Sequence, residues 1–95
     1  MNVYFAYTIG SPNIIYYGKY FGHDSTTAVS EADLLSAIYP SLEMCYSIQS
    51  VSEITISVLS CESTSVFSDR DPFKYNFVYC NSSSTQIYLN GTLMS

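Results

Sequence analysis

The chain has 95 residues, with eight acids against three cations and a formal charge of −5. Those numbers exclude sustained nonspecific nucleic-acid binding, which draws on many Lys and Arg contacts to phosphate. A hydrophobic fraction of 47% excludes a disordered tail, and the length allows one compact domain, residues 1–95.

Charged side chains make up only 12% of the chain, while tyrosine occurs ten times and tryptophan never. A tyrosine ring packs like a hydrophobe, but its hydroxyl needs a polar partner when buried. That suits strand surfaces and interfaces. Cys45, Cys61 and Cys80 are an odd set with no Cys-x-x-Cys pair. They read as reduced thiols, which predicts a cytoplasmic protein, in the host cytoplasm if the source is viral. The opening residues show no basic region followed by an apolar run, so no signal peptide is expected. No stretch approaches the ~20 apolar residues of a membrane span. Asn81-Ser82-Ser83 and Asn90-Gly91-Thr92 match glycosylation sequons but read as turn chemistry.

Val3 to Ile9 is rich in aromatic and β-branched residues and predicts a strand. Gly10-Ser11-Pro12-Asn13 breaks it, and Ile14 to Phe21 predicts a second strand paired with the first. Val3, Phe5, Tyr7 and Ile9 share one face, and Tyr4, Ala6 and Thr8 the other. Both faces are fairly apolar, so this strand is expected to be central. Gly22 to Ala28 reads as a loop. Ser30 with Asp33 forms a loose capping box, and Leu34, Leu35 and Ile38 make a helical stripe. Pro40 is expected to stop that helix near Tyr39. Met44, Tyr46 and Ile48 alternate with polar residues as a strand would, and Ile54, Ile56 and Val58 do so again. Cys61 to Phe67 is ambiguous, and Asp69 to Pro72 is a turn. Tyr75 to Cys80 and Thr85 to Leu89 predict the last two strands, the final one ending at Asn90-Gly91. The expected fold is α+β: a mainly antiparallel sheet of five to six strands on one short helix, in the order ββαββββ.

Val3-Tyr4-Phe5-Ala6-Tyr7-Thr8-Ile9, followed by Ile14-Ile15-Tyr16-Tyr17-Gly18-Lys19, resembles the paired strands that open the GIY-YIG nuclease domain. The resemblance implies an α+β fold and metal-assisted phosphodiester cleavage. In that family tyrosines sit on the hairpin, an arginine on the following helix and a metal-binding glutamate further on. By the resemblance Tyr4 or Tyr7 and Tyr17 match the tyrosines, and Glu62 stands near the acid. The arginine has no match, because Ser30 to Tyr39 contains no cation. An inactive relative of the fold is therefore the expectation on this line.

Other candidate chemistry is sparse. His23-Asp24 is the one imidazole–carboxylate neighbour pair. The cysteines lack the spacing of a zinc site, and Asp69 to Asn76 lacks the glycine and glutamate of a calcium loop. No metal or cofactor is expected. Tyr16, Tyr17, Tyr20 and Phe21 form the densest aromatic cluster, and alternation sends Tyr16 and Tyr20 to one side and Tyr17 and Phe21 to the other. An aromatic patch of this kind is what interface hot spots look like. The leading expectation is a small acidic, non-catalytic protein that associates with itself and occupies a partner protein. Small accessory inhibitors of viruses and mobile elements share this size and composition. The alternative is a small-molecule or nucleotide sequestering module lined by Tyr7, Tyr17, Lys19, His23 and Arg70.

Overall fold

A computed structural model describes residues 2–21, 30–62, 73–75, 77–80 and 86–93. His23, Arg70 and the turns expected at 22–28, 69–72 and 81–84 lie outside the described residues. The class is α+β, with one α-helix and an antiparallel sheet among the described residues. Its long strands are β1 (Asn2–Ile9), β2 (Ser11–Phe21), β3 (Ile54–Glu62) and β6 (Gln86–Leu93), in the spatial order β3-β1-β2-β6. Two short segments, β4 (Phe73–Lys74) and β5 (Phe77–Cys80), both pair with β6. They follow one register, Phe73 opposite Leu93 and Phe77 opposite Leu89, so they run along the same side of β6.

The strand β1 lies between β2 and β3, and side chains on both of its faces are buried. Val3, Phe5 and Tyr7 point toward the helix and join Ile54, Ile56, Ile87 and Leu89 in the core. Asn2 and Tyr4 are buried on the opposite face. Phe5 stands directly across from Gly18 on β2. A methyl group at Gly18 would fall inside the Phe5 ring, so only glycine lets that ring lie flat across the neighbouring strand.

Helix α1 (Glu31–Cys45) starts where the capping chemistry predicts. The Asp33 amide donates to the Ser30 hydroxyl at 3.1 Å, and Glu31 and Asp33 occupy the positive end of the dipole. Leu34, Ile38 and Leu42 recur every four residues and are fully buried against the sheet. The expected stop at Pro40 does not occur, and the strand expected from Met44 to Ile48 is absent. The helix runs through Pro40 to Cys45, and the chain leaves it at Tyr46, whose amide donates to Leu42 O at 2.9 Å. Energetics explain this correction. A proline inside a helix costs roughly 3 kcal/mol. Ending at Tyr39 would forfeit Leu42, whose burial stabilises by about 2 kcal/mol, together with Cys45 and Tyr46, which pack on the same core. Pro40 and Ser36, the residue whose carbonyl the proline leaves without its helical donor, are both on the exposed side, so water can satisfy that oxygen.

Two distortions shape the sheet. The first lies between the pairs Tyr7–Tyr16 and Ile9–Ser11, where Thr8 of β1 stands against four residues of β2. Pro12 falls in this stretch and has no amide to offer the ladder. The second lies between the pairs Tyr17–Gly91 and Lys19–Tyr88, where two residues of β6 face one of β2. Asn90 takes up that bulge with a left-handed φ of 58°, a conformation asparagine tolerates better than most residues. Asn90-Gly91, expected to end the last strand, therefore bends it, and the strand continues to Leu93.

Replacing Pro40 by alanine tests the energetics of the helix. The variant regains a hydrogen bond and loses a ring clash, against a smaller gain in unfolded-chain entropy. A denaturation midpoint corresponding to about 1–2 kcal/mol of added stability is expected. An unchanged or lower midpoint would show that the helix is not continuous through this position.

Candidate functional site

The aromatic residues of the hairpin divide between two clusters, one on each face of the sheet. On the helix side Tyr7, Tyr16 and Tyr46 meet. The Tyr7 and Tyr16 rings stack with centroids 5.4 Å apart, and Tyr46 reaches within 5.6 Å of Tyr16 from the end of α1. The Tyr7 hydroxyl accepts the Asn90 amide at 2.9 Å and lies 2.9 Å from the Tyr46 hydroxyl. The two hydroxyls share one hydrogen bond, in which either can donate. One buried phenol thus ties β1 to the bulge of β6 and to the exit of α1.

Burial, and then the bond to Tyr46, push Tyr7 far above the ordinary tyrosine range. Tyr46 is also raised by burial, although its hydrogen bond with Tyr7 pulls it down. A phenol held this firmly protonated is a hydrogen-bond clip and no base at neutral pH.

The opposite face holds a second cluster around Lys19. Its side chain is only 2% exposed, and Nζ lies 4.6 Å from the Tyr88 ring centroid, 5.6 Å from Tyr75 and 6.0 Å from Tyr4. Cation–π attraction operates at these distances and strengthens when water is excluded. Tyr75 stacks obliquely on Tyr88 at 5.6 Å and lies over Gly91, where a Cβ would come 2.6 Å from its Cδ1. Lys19 therefore directs its charge at tyrosine rings inside the protein.

The sequence candidates fall into place accordingly. Tyr16 and Tyr20 lie on the helix side, half-buried against the core. Tyr17 and Phe21 are half-buried on the other strand face. Tyr7 lies on the face opposite Tyr17 and Lys19, so the structure does not bring these three together. The same division separates Tyr7 from Tyr17 as a catalytic pair. The Glu62 side chain lies outside the described set, and no group of three His, Cys, Asp or Glu side chains converges among the described residues.

Sequence reasoning did not single out the exposed apolar side chains at the Tyr16 end of the sheet. Ile14 and Ile15 are 57% and 56% exposed, and both sit in the distorted stretch of β2. The signal was present in Pro12, which marks where the ladder fails. Two further segments meet this end of the sheet. The Gly10 amide donates to Glu53 O at 2.8 Å, which brings in the 3₁₀ turn Val51–Glu53, and Tyr46 brings in the end of α1. Those segments carry exposed Val51 and Met44, the latter 74% exposed. No family model, curated protein or solved structure matches the chain.

The tyrosine clip predicts an alkaline limit to stability. In the unfolded chain tyrosine releases its proton near pH ~10. The native state holds the Tyr7 proton beyond that, so above this pH the native state binds more protons than the unfolded one. Stability is then fully present below pH ~10 and falls as pH rises further. Tyr46 and Tyr39 are shifted in the same direction and add to the fall. Tyr7→Phe removes the acceptor for the Asn90 amide and is expected to cost about 1–3 kcal/mol at neutral pH. It should also flatten the alkaline decline seen in denaturation midpoints between neutral pH and pH ~11. An equally steep decline in the variant would mean that Tyr7 is not the group responsible.

Proposed function

We propose that this protein is a non-catalytic binding protein that occupies a partner protein through the end of the sheet carrying Ile14 and Ile15. One observation carries the reading. A chain of this size has few apolar side chains to spare, yet four residues of β2 leave the ladder and hold two isoleucines in solvent beside Tyr16 and Tyr17. Exposed apolar side chains next to amphipathic rings are the usual ingredients of an interface centre.

The charge distribution supports a basic partner. Lys19 is internal, which leaves Lys74 as the exposed cation among the described residues. Glu31, Asp33 and Glu43 are exposed on α1, which has no basic residue. An excess of exposed acids over exposed cations steers a cationic surface toward the protein and disfavours nucleic acid. Occupying the partner's surface, and thereby excluding its other ligands, is the simplest action for such a site.

The double variant Ile14→Asp/Ile15→Asp provides the test. Both side chains lie mostly in solvent, so its melting temperature should match the wild type. The partner captured by the wild type, once purified, should be a basic protein. It should bind the variant at least about tenfold more weakly, with affinity for the wild type falling as salt rises. Equal affinity for both forms would place the interface elsewhere.

A further inference from the structure

We infer that the outer edge of β3 is a self-association site, where a second copy of this chain adds its own β3 antiparallel across a two-fold axis. Among the described residues β3 pairs on one side only, with β1. From Ile54 to Val58 its register against β1 is unbroken, so it presents a straight run of backbone. The first irregularity comes between the pairs Tyr4–Ser60 and Phe5–Val58, where Leu59 is the extra residue and is 49% exposed. Thr55 and Ser57 are exposed on the face away from the helix. An edge strand offers unpaired amides and carbonyls to any strand that approaches it.

Charge selects the occupant. Proteins usually guard such an edge with lysine, proline or an inward-pointing charge. Ile54 to Cys61 contains none of these. The remaining acids make a second copy repulsive across most approaches, because each carries a net charge of −5. Among the described residues the β3 edge is a long strand margin where two copies can meet without opposing carboxylates. A two-fold axis near Ile56 sets Thr55 of one copy against Ser57 of the other, a small polar pair suited to adjacent strands. Pairing also covers what remains exposed of Val58 and Leu59. The contact is short, so the dimer forms at high protein concentration. It lies on β3, not on the distorted stretch of β2 that carries Ile14 and Ile15.

Two charge variants decide the matter. In Thr55→Lys/Ser57→Lys and in Thr55→Glu/Ser57→Glu, like charges oppose one another across the axis. Sedimentation equilibrium should show wild-type mass rising from monomer toward dimer as concentration approaches the millimolar range. Each variant alone should remain monomeric with an unchanged circular dichroism spectrum, and an equimolar mixture of the two should restore the dimer. If either variant fails to fold, amide exchange of wild-type residues 55–58 supplies the answer, with protection expected to increase with concentration. A wild type that stays monomeric throughout, or a dimer that both variants retain, would overturn the inference.

Discussion

The fold depends on one strand, β1, being sealed on both faces. Toward the helix it buries Val3, Phe5 and Tyr7 against Leu34, Ile38 and Leu42. Away from the helix it buries Asn2 and Tyr4, the latter beside the Lys19 ammonium. Fully burying a side chain of this kind stabilises by about 1.5–3 kcal/mol, and in a small domain a handful of such contributions decides whether the chain folds. Everything else is arranged to permit this sealing. Gly18 gives way to the Phe5 ring, the Asn90 bulge delivers an amide to Tyr7, and Pro40 is tolerated so that Leu42 can be buried.

The same arrangement explains why the described tyrosine side chains do not yield a broad aromatic surface. Tyr4, Tyr7 and Tyr88 are interior, and their hydroxyls and ring faces serve internal partners. Lys19 is drawn inward by those rings, which makes the exterior more anionic than composition alone suggests. Among the described residues the exterior includes an exposed pair of isoleucines, an acidic helix face and an uncharged strand edge. The function proposed here grows from that exterior.

Much of this was legible in the sequence. Aromatic and β-branched residues located β1, the run from Ile14 to Phe21 located most of β2, alternation located β3, and the doubly apolar pattern of Val3 to Ile9 placed β1 inside the sheet. Ser30 and Asp33 located the start of the helix. The failures have physical causes. Met44, Tyr46 and Ile48 satisfy a period of two, but Leu34, Ile38 and Leu42 satisfy a helical period across the same boundary, and burial of Leu42 decides between them. Alternation put Lys19 on the face shared by Tyr17 and Phe21. Only the fold shows that Tyr75 and Tyr88, distant in sequence, close over it. The exposure of Ile14 and Ile15 depended on the length of the distortion, which a proline signals but does not measure.

Native-state hydrogen exchange resolved by residue tests the sealing of β1 most directly. Amides exchange at a rate set by the smallest opening that exposes them. If both faces of β1 are closed as described, the amides of Val3 to Tyr7 should exchange only through global unfolding, at the free energy measured by denaturation. Faster exchange in β1 than in helix α1 would mean that the strand opens on its own, and the account of the fold would fail.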